Sequence, residues 1–251
     1  MKDTNSLAYI NLFAVLGAIP ELCRMDAEAG ELVKNEKISL GFTVKNGPSA
    51  TLIFNKGKYS MKQGLVSPTI TLPFSSAEKF NAMIDGTYTP VPVSGFHRIG
   101  FLLKKFMKLT DLLESYLRPE PEKLEDPVFF EKSTVLMIGV IARAVSVLGN
   151  NDPISKTSAS YIVDGDIRFG IKNGFSLVLR AEDHKLRVVR SEPFNITSYM
   201  EFKNLETARA LFDGKINAVA AVGMGDVRIA GNVSQIDNVN RILDRVSEHL
   251  A

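Results

Sequence analysis

At 251 residues, with 45% hydrophobic and 23% charged residues, the chain has the length and composition of two ordinary globular cores. Its 30 basic and 28 acidic residues leave a formal charge of +2, too near balance to imply a nucleic-acid partner, and the short basic clusters Lys104-Lys105 and Arg187 to Arg190 read as solvated surface. The lone Cys23 excludes an intramolecular disulfide or a thiolate metal cluster and fits a reducing, cytoplasmic setting.

In chain order, the first feature is an apolar run, Leu7 to Leu22. It resembles a signal peptide, but Asp3 weakens the basic start and no clean cleavage site follows. A similar run, Val135 to Leu148, sits further along, where a signal has no meaning. Both runs are shorter than the roughly 20 residues of a membrane span, so they are expected to be buried helices and no transmembrane span is expected. From Ile38 the pattern turns to period two: Ile38, Leu40, Phe42 and Val44 alternate with polar or small residues, as in a half-buried strand. Asn46-Gly47 supplies a tight turn. Ala50, Leu52 and Phe54 resume the alternation, Asn55-Lys56-Gly57 turns again, and a third strand carries Tyr59 and Met61. A fourth, about Pro68 to Leu72, completes an expected antiparallel meander. Ser75 and Glu78 form a capping-box pattern, and Ala77, Phe80, Met83 and Ile84 follow at helical spacing up to a stop at Gly86. A segment broken by Pro90 and Pro92 leads to a long helix, Phe101 to Leu117.

The plan then recurs. Phe42 to Gly47 (FTVKNG) matches Phe169 to Gly174 (FGIKNG), offset by 127; Phe74, Glu78 and Asp85-Gly86 match Phe202, Glu206 and Asp213-Gly214, offset by 128. Register kept through strands, turn and helix indicates a duplicated domain. Between the copies, Arg118 to Pro127 holds three prolines and four acids and reads as an exposed linker. The divisions read from the sequence are 1–119, a linker at 120–127, and 128–251. In the second copy, Asn204 caps a helix through Leu205, Ala208, Leu211 and Phe212, stopped at Gly214. A short strand at Ala218 to Val222 is expected next. Gly223-Met224-Gly225 reads as a hairpin or bulge, since Arg228 stands where a dinucleotide loop needs its third glycine. A strand at Val227-Arg228-Ile229 and a final helix with Val239, Ile242, Leu243 and Val246 on one stripe close the chain.

Leu211-Phe212-Asp213-Gly214-Lys215-Ile216, followed by Gly225-Asp226-Val227-Arg228-Ile229-Ala230-Gly231-Asn232, resembles the sterol carrier protein type 2 family. That family runs a helix into a "dGk" turn and then a glycine-flanked apolar strand before its last helix. The likeness covers most of residues 160–251; the first copy keeps Asp85-Gly86 but departs after it. The resemblance implies an α+β fold: two tandem sterol-carrier-like domains, each a mainly antiparallel sheet covered by helices, with an apolar tunnel between. It implies a lipid, fatty acid or acyl-CoA-like ligand, and a final helix that covers the tunnel mouth. Phe80, Met83, Ile84, Leu211, Phe212, Met224, Ile229, Val239, Ile242 and Leu243 are the expected lining. The rival reading is a solid pseudo-symmetric scaffold for a protein partner.

Catalysis is not expected. His97, His184 and His249 lie in separate segments without ligand spacing, His184 in a hairpin turn and His249 on an exposed tail. Cys23, alone in the first helix, is expected to behave as a small buried apolar side chain and not as a nucleophile. No cofactor and no metal are expected.

Overall fold

The computed structural model describes residues 3–190 and 194–250. The chain separates into two compact units, residues 1–124 and 125–251. Each is α+β, one built on a four-stranded and the other on a five-stranded mixed sheet.

The first unit opens with α1 (Thr4–Ile10), capped by Asp3, whose carboxylate accepts from Ser6 N at 2.7 Å. A π turn (Asn11–Val15) and a 3-10 turn (Leu16–Ala18) carry the same helical run into α2 (Ile19–Met25). Together they span 22 residues, longer than the apolar run suggested, and the run is apolar and long enough to cross a membrane. It lies mostly buried, with Ile10, Leu12, Leu16, Ile19 and Leu22 in the core. After α3 (Ala27–Val33) come β1 (Lys37–Val44), β2 (Ser49–Asn55), β3 (Lys58–Gln63) and β4 (Ile70–Phe74).

The strand order is β3-β2-β1-β4, with β4 parallel to β1. This corrects the expected meander. β3 forms one edge and is polar and mostly exposed, whereas β4 forms the other edge, where Ile70, Leu72 and Phe74 are buried and pair with Leu40, Phe42 and Val44. A connection of residues 64–69 crosses the sheet to reach that place. Thr51 Oγ1 holds it by donating to Gly64 O and accepting from Val66 N, each at 2.8 Å. β4 begins at Ile70, two residues later than read from the sequence.

α4 (Ala77–Ile84) is capped by Ser76, not Ser75: Ser76 has the extended backbone of an N-cap and accepts from Lys79 N. A buried amide pair ties it to the first helix, Asn11 Nδ2 donating to Asn81 Oδ1 at 3.0 Å. The proline-bearing segment after it forms no strand, only an isolated bridge from Ser94 to Thr71. A 3-10 turn (Phe96–Arg98), α5 (Ile99–Phe101), a π turn (Leu102–Phe106) and α6 (Met107–Leu117) then form one continuous helical stretch. Its buried face carries Phe101, Phe106, Leu109, Leu113 and Tyr116. The segment read as a linker holds one 3-10 turn, Pro121–Glu125, and ends at the Asp126 cap of the next helix.

The second unit comprises α7 (Pro127–Asn151), α8 (Pro153–Ser160), β5 (Gly165–Ile171), β6 (Ser176–Glu182), β7 (Lys185–Val189), β8 (Ile196–Phe202), α9 (Leu205–Phe212), α10 (Ala218–Gly223), β9 (Val227–Gly231) and α11 (Val233–Leu250). α7, at 25 residues, is also longer than its apolar run and is likewise apolar and long enough to cross a membrane, while lying mostly buried. The order β7-β6-β5-β8-β9 repeats the first sheet and adds β9 antiparallel to β8. Small details recur as well. Val44 N donates to Pro48 O and Lys45 N to Phe74 O; Ile171 N donates to Phe175 O and Lys172 N to Phe202 O. Asn46 and Asn173 both take positive φ, at 58° and 60°. Where Asn81 ties α4 to the first helix, Arg209 ties α9 to α7 by donating to Ser133 Oγ at 2.9 Å.

Residues 218–222 are helical, which corrects the strand expected there. Ala-Val-Ala-Ala-Val has no period-two alternation, alanine is the best helix former, and Asn217 caps the turn by accepting from Ala220 N at 3.1 Å. Gly225 accordingly is a helix stop with φ 78°, not a hairpin or bulge residue: its N–H donates to Val222 O and that of Asp226 to Ala221 O.

Candidate functional site

The ten residues expected to line a pocket divide between the units. In the first, Phe80 is fully buried and meets Phe74 and Phe42 edge-on, with centroids 5.0 and 6.5 Å away. Met83 and Ile84 are half-buried on the same helix. Two further rings close this interior: Phe101 lies 5.6 Å from Phe54 and Phe106 lies 6.0 Å from Phe42. Aromatic side chains thus fill the space between sheet and helix.

The second unit is packed differently. Phe169, Phe202 and Phe212 form an edge-on series at 5.8 and 5.4 Å. Past Phe212 the burial falls. Leu211, Phe212 and Ile229 are only half-buried, and so is Leu243 on α11. Ile229 pairs with Met200 and Val227 with Phe202, so both β9 side chains share the helix-facing side of the sheet with those core residues. Val227, also half-buried, belongs to this group although the sequence reading passed over it; its place two residues before Ile229 was the available signal. On α11, Val239 and Ile242 are fully buried near Leu243, and this helix has no Phe, Tyr or Trp to fill the space as Phe101 and Phe106 do in the first unit. Met224 stands apart, 69% exposed at the end of α10, because the expected strand that would have turned it inward is a helix.

Two surface clefts of about 290 and 240 Å³ also occur in the second unit. The larger lies between α8 and α11, lined by Ser155, Arg241, Asp244 and Arg245; the other lies on the sheet, beside Arg168, Val178, Val189 and Phe194. None of the ten expected residues lines either one.

The opposite face of the second sheet is charged and tied together. Arg180 bonds Asp166 through both its oxygens, at 2.6 and 2.8 Å. Arg228 bonds the buried Glu201 at 2.8 Å while lying 4.2 Å from the Tyr199 ring centroid. These pairs sit directly across strands and satisfy buried carboxylates. Gln235, fully buried at the start of α11, accepts from Thr197 and Ser198 and donates to Val163 O, anchoring that helix to the sheet.

His97 and His184 are exposed, the latter in the β6–β7 turn. His249 is not on an exposed tail: it is 3% exposed, because it continues the stripe of Val239, Ile242 and Val246 at spacings of three and four. Cys23 is buried in α2, and that burial pushes its thiol up to about 12. Among the described residues no group of three or more His, Cys, Asp or Glu side chains is placed to hold a metal ion.

No family model matches the chain. No curated protein matches it either. Among solved structures it is similar to one titled "UbiJ-SCP2 Ubiquinone synthesis protein", at 19% identity, over 43% of this chain and 92% of that one, with a TM-score of 0.33.

Proposed function

We propose that this chain binds a lipid, a fatty acid, an acyl-CoA-like compound or another long apolar molecule without transforming it, and that the second unit holds the ligand. On this reading the two units arose by tandem duplication, and the first has become a filled, supporting copy. The observation that carries the proposal is the difference in packing. Phe101 and Phe106 close the first interior, whereas in the second Val227, Ile229 and Leu243 stay half-buried beyond Leu211 and Phe212, which are half-buried as Met83 and Ile84 are in the first. Large apolar side chains left part-exposed at one end of a core gain from being covered, at roughly 25 cal/mol per Å² removed from water. The resemblance of residues 205–243 to sterol carrier proteins supports the same ligand class.

The test is displacement of a fluorescent fatty acid from the intact chain, read beside thermal melting. Ile229→Glu places a charge among the half-buried residues and is expected to abolish binding with little loss of melting temperature. Absence of binding by the parent chain would reject the proposal and favour the scaffold reading.

A further inference from the structure

The helical stretch of the first unit has two apolar faces, and only one is used by the core. Phe101, Phe106, Leu109 and Leu113 are buried. Phe96, Ile99, Leu103 and Met107, at spacings of three and four, fall along another side and are 41–60% exposed. Val91 and Val93, in the segment just before, are exposed more strongly still. From Val91 to Thr110 the chain has no acidic residue and four basic ones, Arg98, Lys104, Lys105 and Lys108. Glu36 accepts from Arg98 at 2.9 Å and from Lys105 at 2.6 Å, and Glu28 pairs with Lys108 at 2.7 Å. All three cationic side chains nonetheless remain 40% exposed or more, and Lys104 has no acidic partner among the described residues. The acids begin again at Asp111, one turn after the stripe ends at Met107.

We infer that this face, residues 91–108, docks the protein on an anionic lipid bilayer. Water is a poor neighbour for four large apolar side chains along one side of a helix and two exposed valines just before it, and a protein surface keeps such side chains exposed for a purpose. An apolar stripe rimmed by lysine and arginine with no carboxylate in the segment matches the two layers of an anionic membrane surface: acyl chains below, negative headgroups at the level of the cationic ends. The π turn at Leu102–Phe106 lets one helix serve both faces, since it changes the angular step between the core-facing and outward-facing residues. The inference stands on this face alone and is independent of whether the second unit binds a ligand.

Sedimentation of the full chain with vesicles tests it, comparing phosphatidylcholine alone with phosphatidylcholine mixed with phosphatidylserine. Binding is expected to the mixed vesicles, to weaken strongly as salt is raised, and to be much weaker on the neutral ones. Leu103→Glu with Met107→Glu is expected to abolish it. Lys104→Ala and Lys108→Ala should each weaken it by roughly five-fold, the effect of about one cationic side chain near an anionic surface. Lys172→Ala, an exposed lysine in the second unit, should leave it unchanged. Every altered side chain is solvent-exposed, so melting temperatures should match the parent. Equal binding to both vesicle types, no binding to either, or binding that survives the Leu103/Met107 change would overturn the inference; so would self-association that the same double change disperses, which would make a second copy the occupant. Fatty-acid displacement measured on the same variants separates this result from the ligand proposal, because none of them alters the second unit's half-buried residues.

Discussion

Arg180 holds Asp166 across the β5–β6 ladder by two parallel hydrogen bonds, Nε to Oδ1 at 2.6 Å and Nη2 to Oδ2 at 2.8 Å. The carboxylate is 3% exposed and also accepts from Asn195 N at 2.8 Å. The guanidinium is the main reason its pKa lies below the ordinary aspartate value. Removing Arg180 would leave a buried charge without its partner, so Arg180→Ala is expected to cost about 3 kcal/mol in denaturant unfolding. The pH dependence follows from the sign of the shift. An unfolded aspartate titrates near about 3.9, and the folded one is held lower. The stabilisation is therefore complete above the unfolded value and is lost as pH falls through the folded one. Arg180→Ala should flatten the acid limb of the stability profile, which melting curves across the acid range would show.

Cys23 has the reverse sign. Burial raises its pKa to about 12, so the thiol stays protonated in the folded protein. Alkylation by iodoacetamide at mildly alkaline pH is expected to be very slow until denaturant is added. The same burial means that stability declines as pH rises from the unfolded cysteine value, roughly 8.5, toward 12. Rapid labelling of the native protein would contradict the packing described for α2.

Gly231 ends β9 with φ 110°, and an added Cβ would stand 2.2 Å from Thr197 O and 2.6 Å from Ser198 Cα. Both contacts are backbone, so neither can rotate away. Gly231→Ala is expected to cost on the order of 2 kcal/mol or more and to loosen β9 from β8. Hydrogen exchange should show faster exchange at residues 227–231 while β1 to β4 are unaffected.

Phe106 fills the first interior against Phe42. Phe106→Ala is expected to destabilise that unit by about 3–5 kcal/mol, as large aromatic deletions in cores do. Calorimetry would register it, and a neutral result would mean the first unit is less solid than described.

Much of this was legible in the sequence where period and punctuation agree. Ile38 to Phe54 alternates cleanly, Asn46 and Asn173 mark turns, and Gly86 and Gly214 stop helices with φ 71° and 68°. What failed lay outside local pattern. Nothing within Ile70 to Phe74 says that it joins β1 in parallel; that follows from the crossing of residues 64–69 to the edge of the sheet opposite β3. The Ala218–Gly223 segment was misread because apolar content was taken for a strand without alternation. His249 looked like a tail residue until the stripe of α11 was extended to it. The half-burial of Val227, Ile229 and Leu243 could not be read from their identity, since it depends on which side chains fill the neighbouring space.

The central claim is that the second unit, and not the first, takes a long apolar ligand. Native mass spectrometry of the intact chain with added oleic acid tests it most directly, comparing the parent with Ile229→Glu. The account predicts one molecule bound to the parent and none to the variant, with both proteins folded. No bound oleate on the parent, two per chain, or one that persists in Ile229→Glu would contradict it.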